Sequence, residues 1–131
     1  MNIKDLMIGD WVIRGGVPEE PMCIYNMKVS ANTLYLEQDG HGVIEKFENI
    51  EPIPLTSEIL EKNNFEKNGT DYLIQGFLYW STFARRIFIK EFPYKYNDIT
   101  INITIDICEC TYVHELQHIL KICKIKKEII L

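Results

Sequence analysis

The stretch Ile99-Thr100-Ile101-Asn102-Ile103-Thr104-Ile105-Asp106-Ile107-Cys108-Glu109-Cys110 alternates apolar and polar residues without a break as far as Ile107. A period of two marks a β-strand with one face on a core and the other in water. The isoleucines are therefore expected inside, with Thr100, Asn102, Thr104, Asp106, Cys108 and Cys110 on the wet face. Working back from this strand, Tyr72 to Gln75, Phe77 to Thr82 and Arg85 to Lys90 read as further strands joined by tight turns. Working forward, Tyr112 to about Lys124 reads as a helix, and Glu128 to Leu131 as a short tail strand or an irregular end.

The N-terminal half carries shorter strands. Trp11 to Arg14 follows Gly9-Asp10, and Cys23 to Val29 follows a turn-like run of Gly15-Gly16 and Pro18 to Pro21. Thr33 to Glu37 and Val43 to Phe47 flank Gln38-Asp39-Gly40-His41-Gly42, where Asp-Gly is a strong hairpin signal because both residues tolerate positive φ. Ile50 to Ile53 is a fifth candidate. Five short strands in about fifty residues suggest a small SH3-like barrel. Beyond Pro54 the period changes: Thr56 suits a helix cap, Glu58 a first turn, and Ile59, Leu60 and Phe65 an apolar stripe. Lys67-Asn68-Gly69 turns the chain. The expected fold is α+β, with an N-terminal SH3-like small β-barrel over residues 1–54. A helix, an antiparallel sheet and a C-terminal helix follow over 55–131, and the two halves are expected to pack as one body.

The chain has 131 residues, 47% of them hydrophobic and 25% charged, enough to bury a core without metal or disulfide support. Fourteen basic against nineteen acidic residues give 14 − 19 = −5, the wrong sign for a protein that neutralises many phosphates. No secretion signal and no membrane-length apolar run are visible, so a cytoplasmic location and reduced thiols at Cys23, Cys108, Cys110 and Cys123 are expected.

His114-Glu115-Leu116-Gln117-His118 is a literal H-E-x-x-H. Histidines four apart share a helix face and can hold Zn²⁺ while the glutamate activates the bound water. The stretch therefore resembles the helix of zinc-dependent metallopeptidases and raises a hydrolase alternative with Glu115 catalytic. Against it, Lys121 and Lys124 stand where a metzincin-like continuation needs glycine and histidine, and Glu128 is the only acidic residue downstream. On a helical wheel Val113, Leu116, Ile119, Leu120 and Cys123 form the apolar arc, placing His114 and His118 toward solvent. Cys108, Cys110, His114 and His118 could form a non-catalytic zinc site, but their spacing matches no common ribbon or finger. The plainer reading has no cofactor, solvated histidines, and Glu115 paired with Lys121 or Lys124.

Trp11, Tyr25, Tyr35 and Trp80 head an aromatic set that is either core or a groove for a protein partner. Arg85 and Arg86, with Lys90, Lys95, Tyr94 and Tyr96, could instead touch nucleic acid through a local basic strand face. Asp106, on the wet strand face near His114, forms the acid and histidine neighbourhood to weigh for general acid/base work, with a surface ion pair as the plainer reading.

Tyr112-Val113-His114-Glu115-Leu116-Gln117, after an isoleucine-rich strand and before Lys127-Glu128-Ile129, resembles an uncharacterised family of small proteins from Bacteroidetes phages, prophages and mobile elements. So do Leu6-Met7-Ile8-Gly9-Asp10-Trp11-Val12 and Ile50-Glu51-Pro52-Ile53-Pro54-Leu55-Thr56, so that the resemblance covers almost the whole chain. In that family the position of His118 is often asparagine and that of Glu115 can be glutamine. The resemblance thus implies that H-E-x-x-H here completes a structural helix by accident, and it brings no activity with it. The expectation is a small non-enzymatic accessory protein that binds another protein, with no membrane and nucleic acid disfavoured, as a monomer or weak homodimer.

Overall fold

The computed structural model describes residues 2–15 and 20–131. Most of the turn read between Gly15 and Pro21 therefore lies outside the described residues. The chain divides into two compact units, Met1–Pro54 with Tyr112–Ile119 and Leu55–Thr111 with Leu120–Leu131. The expected seam at Pro54 coincides with a unit boundary, but the start of the C-terminal helix belongs with the N-terminal unit.

The first unit holds β1 (Trp11–Arg14), β2 (Glu20–Lys28), β3 (Thr33–Gln38), β4 (His41–Lys46) and β5 (Ile50–Pro52). They form an antiparallel sheet in the order β4-β3-β2-β1-β5. Asp39 and Gly40, at φ 48° and 82°, make the two-residue turn between β3 and β4, the backbone that Asp-Gly favours. Val12, Met22, Ile24, Leu34, Leu36 and Ile50 alternate inward from these strands and meet Ile3 and Leu6 in one core. Gly15 sits where β1 and the entry to β5 approach: a Cβ there would lie 2.9 Å from the Asn49 carbonyl oxygen.

This sheet is open, which overturns the expected SH3-like barrel. β5 is three residues long, stops at Pro52 and pairs with β1 alone. β4 forms the opposite edge. Among the described residues β4 and β5 are not paired with each other, so the α+β class stands without closure.

The second unit opens with α1 (Ser57–Lys62), capped as expected by Thr56, whose side-chain oxygen accepts from the Ile59 N–H. Then follow β6 (Glu66–Asn68), β7 (Asp71–Gln75), β8 (Leu78–Ser81), β9 (Arg86–Tyr96) and β10 (Ile99–Glu109), in sheet order β10-β9-β8-β7-β6. Leu60, Phe65, Tyr72, Ile74, Trp80, Ile87 and Cys110 are buried here. The Trp80 indole N–H donates to the Cys110 carbonyl at 2.7 Å. α2 (Val113–Ile122) closes the list of elements, and the tail beyond it docks without strand structure, its Ile130 backbone held on both sides by the Asn63 amide.

The isoleucine strand departs from expectation. β8 is four residues long and borders β9 only from Arg86 to Ile89. Beyond Ile89, β9 has only β10 beside it among the described strands, so the remainder is a two-stranded arm turned at Asn97 and Asp98, both at positive φ. Ile99, Ile101, Ile105 and Ile107 are 61%, 48%, 43% and 48% exposed. Alternation holds from Ile99 to Ile105, but the shift between Asp106 and Cys108 breaks it, so that Cys108 comes opposite Ile87 and not on the face of Asp106, and Cys110, expected on the wet face, is buried. Alternation also supplies no layer to cover the isoleucine face.

Candidate functional site

α2 is fixed to the first unit by side chains of the H-E-x-x-H stretch itself. The Glu115 carboxylate accepts from the Tyr112 N–H at 3.0 Å, the backward half of a capping box. The Val113 N–H, another orphan of the helix start, donates to the Ile53 carbonyl at 2.8 Å. The Gln117 amide accepts from the Trp11 N–H and donates to the Gly9 carbonyl, both at 2.9 Å. His118 Nε2 stands 2.7 Å from Asp10 Oδ2, an oxygen that also accepts from the Met7 N–H.

The expected outward facing of the histidines is corrected by burial. His114 is 4% exposed and His118 is only partly exposed. The His114 ring stacks on Tyr112 at 5.8 Å and 7° and meets the edge of His118 at 5.6 Å. Its Nδ1 is buried, with no hydrogen-bond partner among the described residues. Burial pushes the His114 imidazole below its ordinary pKa, outweighing the opposing charges of Asp10 and Glu115, so the ring is held neutral. The wheel argument failed because it allowed the helix one buried arc, whereas Val113, His114, Leu116 and Leu120 are all buried. Cys123, expected as an apolar filler, is exposed.

A pocket of about 730 Å³ opens beside this helix, lined by Lys4, Asp5, Met7, Pro52, Tyr112, His114, Glu115 and His118. It brings imidazoles, carboxylates and one amine to a common wall. The roles a zinc hydrolase needs are nevertheless occupied locally: Glu115 caps the helix and His118 faces Asp10. Cys108 and Cys110 belong to the second unit, and His114 and His118 to the first. Among the described residues no group of three or more His, Cys, Asp or Glu side chains is arranged to hold a metal ion.

The proposed binding residues scatter. Tyr25 and Tyr35 meet edge to face at 6.0 Å, with Tyr25 exposed. Trp11 is half-buried. Trp80 is 1% exposed and serves the core. Arg85 sits at φ 51° in the β8–β9 turn and donates to the Leu55 carbonyl. Arg86 pairs with Asp106 at 2.9 Å and with Glu109 at 3.6 Å, and Lys90 with Asp71 at 3.4 Å. Three of the four basic residues suggested for nucleic acid are thus turned to partners within their own unit, and Asp106 is in the surface ion pair that was its plainer reading, with Arg86.

What brings apolar groups together at the surface is the arm. Cross-strand register sets Tyr96 opposite Ile99 and Tyr94 opposite Ile101, while Lys95 opposes Thr100 and Pro93 opposes Asn102. Directly opposed residues share a face, so one face carries Tyr94, Tyr96, Ile99 and Ile101 and the other is polar. Tyr94 and Tyr96 are both exposed. Sequence reading ended this strand at Lys90, short of Pro93, a residue disfavoured inside a sheet. Glu91 in fact takes φ 59° at a bulge, and Pro93 lies beyond the reach of β8. The signal that could have extended the strand was Asn97-Asp98, a turn pair between two apolar-rich runs.

Comparison with protein-family models, with curated proteins and with solved structures finds no match. The resemblance to phage and mobile-element proteins therefore gains no support from relatives. No helix among the described residues is long and apolar enough to cross a membrane.

Proposed function

We propose that this chain is a small non-enzymatic binding protein that engages another protein through the apolar face of the β9–β10 arm. The observation that carries the reading is the exposure of Tyr94, Tyr96, Ile99 and Ile101 side by side on that face. Scattered surface apolar residues need no explanation, whereas contiguous ones mark interaction sites. Tyrosine is enriched at protein interfaces, and the β-branched isoleucines beside it are already restricted at χ1 and so lose little rotamer freedom on contact. The ionic contacts of Arg86 and Lys90 weigh against a nucleic-acid surface here, and the capping role of Glu115 weighs against hydrolysis at α2.

The test is a photo-crosslinking residue placed singly at Tyr94, Ile101 or Lys95 and irradiated in the cells that make the protein. The reading expects the same discrete adduct, containing a second polypeptide species, from Tyr94 and Ile101 but not from Lys95 on the polar face. Equal labelling from both faces, or no adduct from either, overturns it.

A further inference from the structure

We infer that β10 is also a subunit contact, pairing antiparallel with β10 of a second copy about a two-fold axis through Ile103. The inference rests on the arm being an interaction element, as proposed above, but it concerns the hydrogen-bonding edge of the arm and not its apolar face.

Three features point to this occupant. The first is that, among the described residues, the outer part of the arm is two strands wide. A lone two-stranded ribbon is at best marginally stable in water, and three or more strands with an apolar face are needed for independent order. Pairing two arms makes four.

The second is an edge without protection. Edge strands are normally blunted by Lys, Pro, bulges or brevity. β10 lies at the end of its sheet, and between Thr100 and Asp106 it has no Lys, Arg, Pro or Gly and no bulge on its own strand. Its single charge in that stretch, Asp106, is met by Arg86 at 2.9 Å, so the edge presents no net repulsion to a copy of itself.

The third is register. With the axis at Ile103, Ile101 faces Ile105, Asn102 faces Thr104 and Thr100 faces Asp106, each pair twice, so apolar meets apolar and polar meets polar along the whole segment. Moving the axis to Asn102 would oppose Asp98 and Asp106 at both ends, a like-charge contact that destabilises a sheet. Moving it to Thr104 would draw in Ile107 and the bulge between Asp106 and Cys108. A shift of half a residue would set isoleucine against threonine or asparagine and join the apolar face of one copy to the polar face of the other. An axis at Ile101 also matches like with like but pairs only Ile99 to Ile103 before the strand ends, so the register about Ile103 pairs the longest stretch free of like charge and bulge, and it is self-complementary, as a two-fold contact requires. The two apolar faces then run together as a doubled platform.

Each copy carries a net charge of −5, so association works against general repulsion that salt screens. The full-length chain is expected to sediment as a concentration-dependent dimer that tightens as salt is raised. Position is tested by cysteine substitution in a Cys108→Ser, Cys123→Ser background with a short bismaleimide. Ile103→Cys is expected to give a covalent dimer by itself. Ile101→Cys is expected to do so only when mixed with Ile105→Cys, and Ile103→Lys, confirmed as folded by circular dichroism, to sediment as a monomer. A wild-type chain that stays monomeric at every concentration, or an Ile101→Cys variant that links to itself more readily than Ile103→Cys, overturns the inference. Neither result alters what a photo-crosslinker at Tyr94 captures from other polypeptides, so failure of the dimer and failure of the proposed binding face are read separately.

Discussion

His118 Nε2 lies 2.7 Å from Asp10 Oδ2, joining residues 108 positions apart in the chain. The same oxygen accepts from the Met7 N–H, also at 2.7 Å, and the Asp10 side chain is only 3% exposed. Asp10 therefore holds the loop before β1 and the middle of α2 with one carboxylate oxygen. Asp10→Ala would leave the Met7 N–H and the imidazole without that partner. Hydrogen bonds to a charged group contribute about 1.5 to 3 kcal/mol, so the variant is expected to lose about 2 to 3 kcal/mol in urea unfolding. His118→Asn, which keeps a donor near Asp10, is expected to lose clearly less; equal losses would show that an amide donor does not replace the imidazole against Asp10.

Gln117 makes the second tie across the same gap. One amide satisfies the Trp11 N–H and the Gly9 carbonyl together. Gln117→Leu fills similar space but removes the side-chain acceptor of the Trp11 N–H and one of the donors to the Gly9 carbonyl, which keeps the Cys23 thiol at 3.3 Å, for an expected cost of about 1 to 3 kcal/mol. Gln117→Glu keeps the acceptor for Trp11 and turns the donor into an oxygen beside the Gly9 carbonyl. It should therefore lose more stability at neutral pH than when its carboxyl is protonated, a difference that chemical denaturation at the two pH values will read.

These ties explain which parts of the candidate site were legible in sequence. H-E-x-x-H was visible as a motif, and the helix was placed to within two residues at either end, Tyr112 to Lys124 against Val113–Ile122. Asp10 was quoted only inside Gly9-Asp10-Trp11, and nothing in one sequence says that this tripeptide lies against Gln117 and His118. Local signals performed best where local physics decides: the Asp39-Gly40 turn and the Thr56 cap are both present. They failed where a neighbour decides. Barrel closure depends on whether the edge strands β4 and β5 meet, and burial of the isoleucine face depends on the length of β8, neither of which shows in the pattern of the strand itself.

His114 makes stability depend on pH. In the unfolded chain its imidazole titrates near the ordinary value of about 6.5; in the fold, burial lowers that value, against the attraction of Asp10 and Glu115 and with some help from His118. Between the two values the unfolded state binds the extra proton and the folded state does not, so stability is full above about 6.5 and falls as pH drops below it. His114→Gln should flatten this part of the curve even if it lowers the plateau. An unchanged slope between neutral pH and pH of about 5 would assign the dependence to other groups.

The end of α2 offers a gain. Lys124 adopts φ 57°, its N–H donates to the Lys121 carbonyl, and the Ile125 N–H reaches back to the Leu120 carbonyl. This is the Schellman arrangement, whose left-handed position glycine occupies without Cβ strain. Lys124→Gly should stabilise by about 0.5 to 1 kcal/mol, the left-handed cost of about 1 to 2 kcal/mol being partly offset by added freedom in the unfolded chain. Thermal melting of the single variant checks this. A loss would show that the Lys124 side chain contributes more than its backbone strain costs.

The sharpest contrast available is between isoleucines of one sheet. Ile87 is fully buried opposite Trp80, while Ile101, farther along the same sheet on β10, is 48% exposed. A core isoleucine truncated to alanine costs about 2 to 5 kcal/mol, and a surface substitution usually changes stability by no more than about 0.5 kcal/mol. Ile87→Ala should therefore unfold the second unit early. Ile101→Thr, measured on dilute protein, should leave unfolding nearly unchanged while weakening whatever binds the arm. If Ile101→Thr instead costs as much as Ile87→Ala at every protein concentration, the isoleucine face is part of the fold of a single chain, and the case for the arm as a binding surface falls with it.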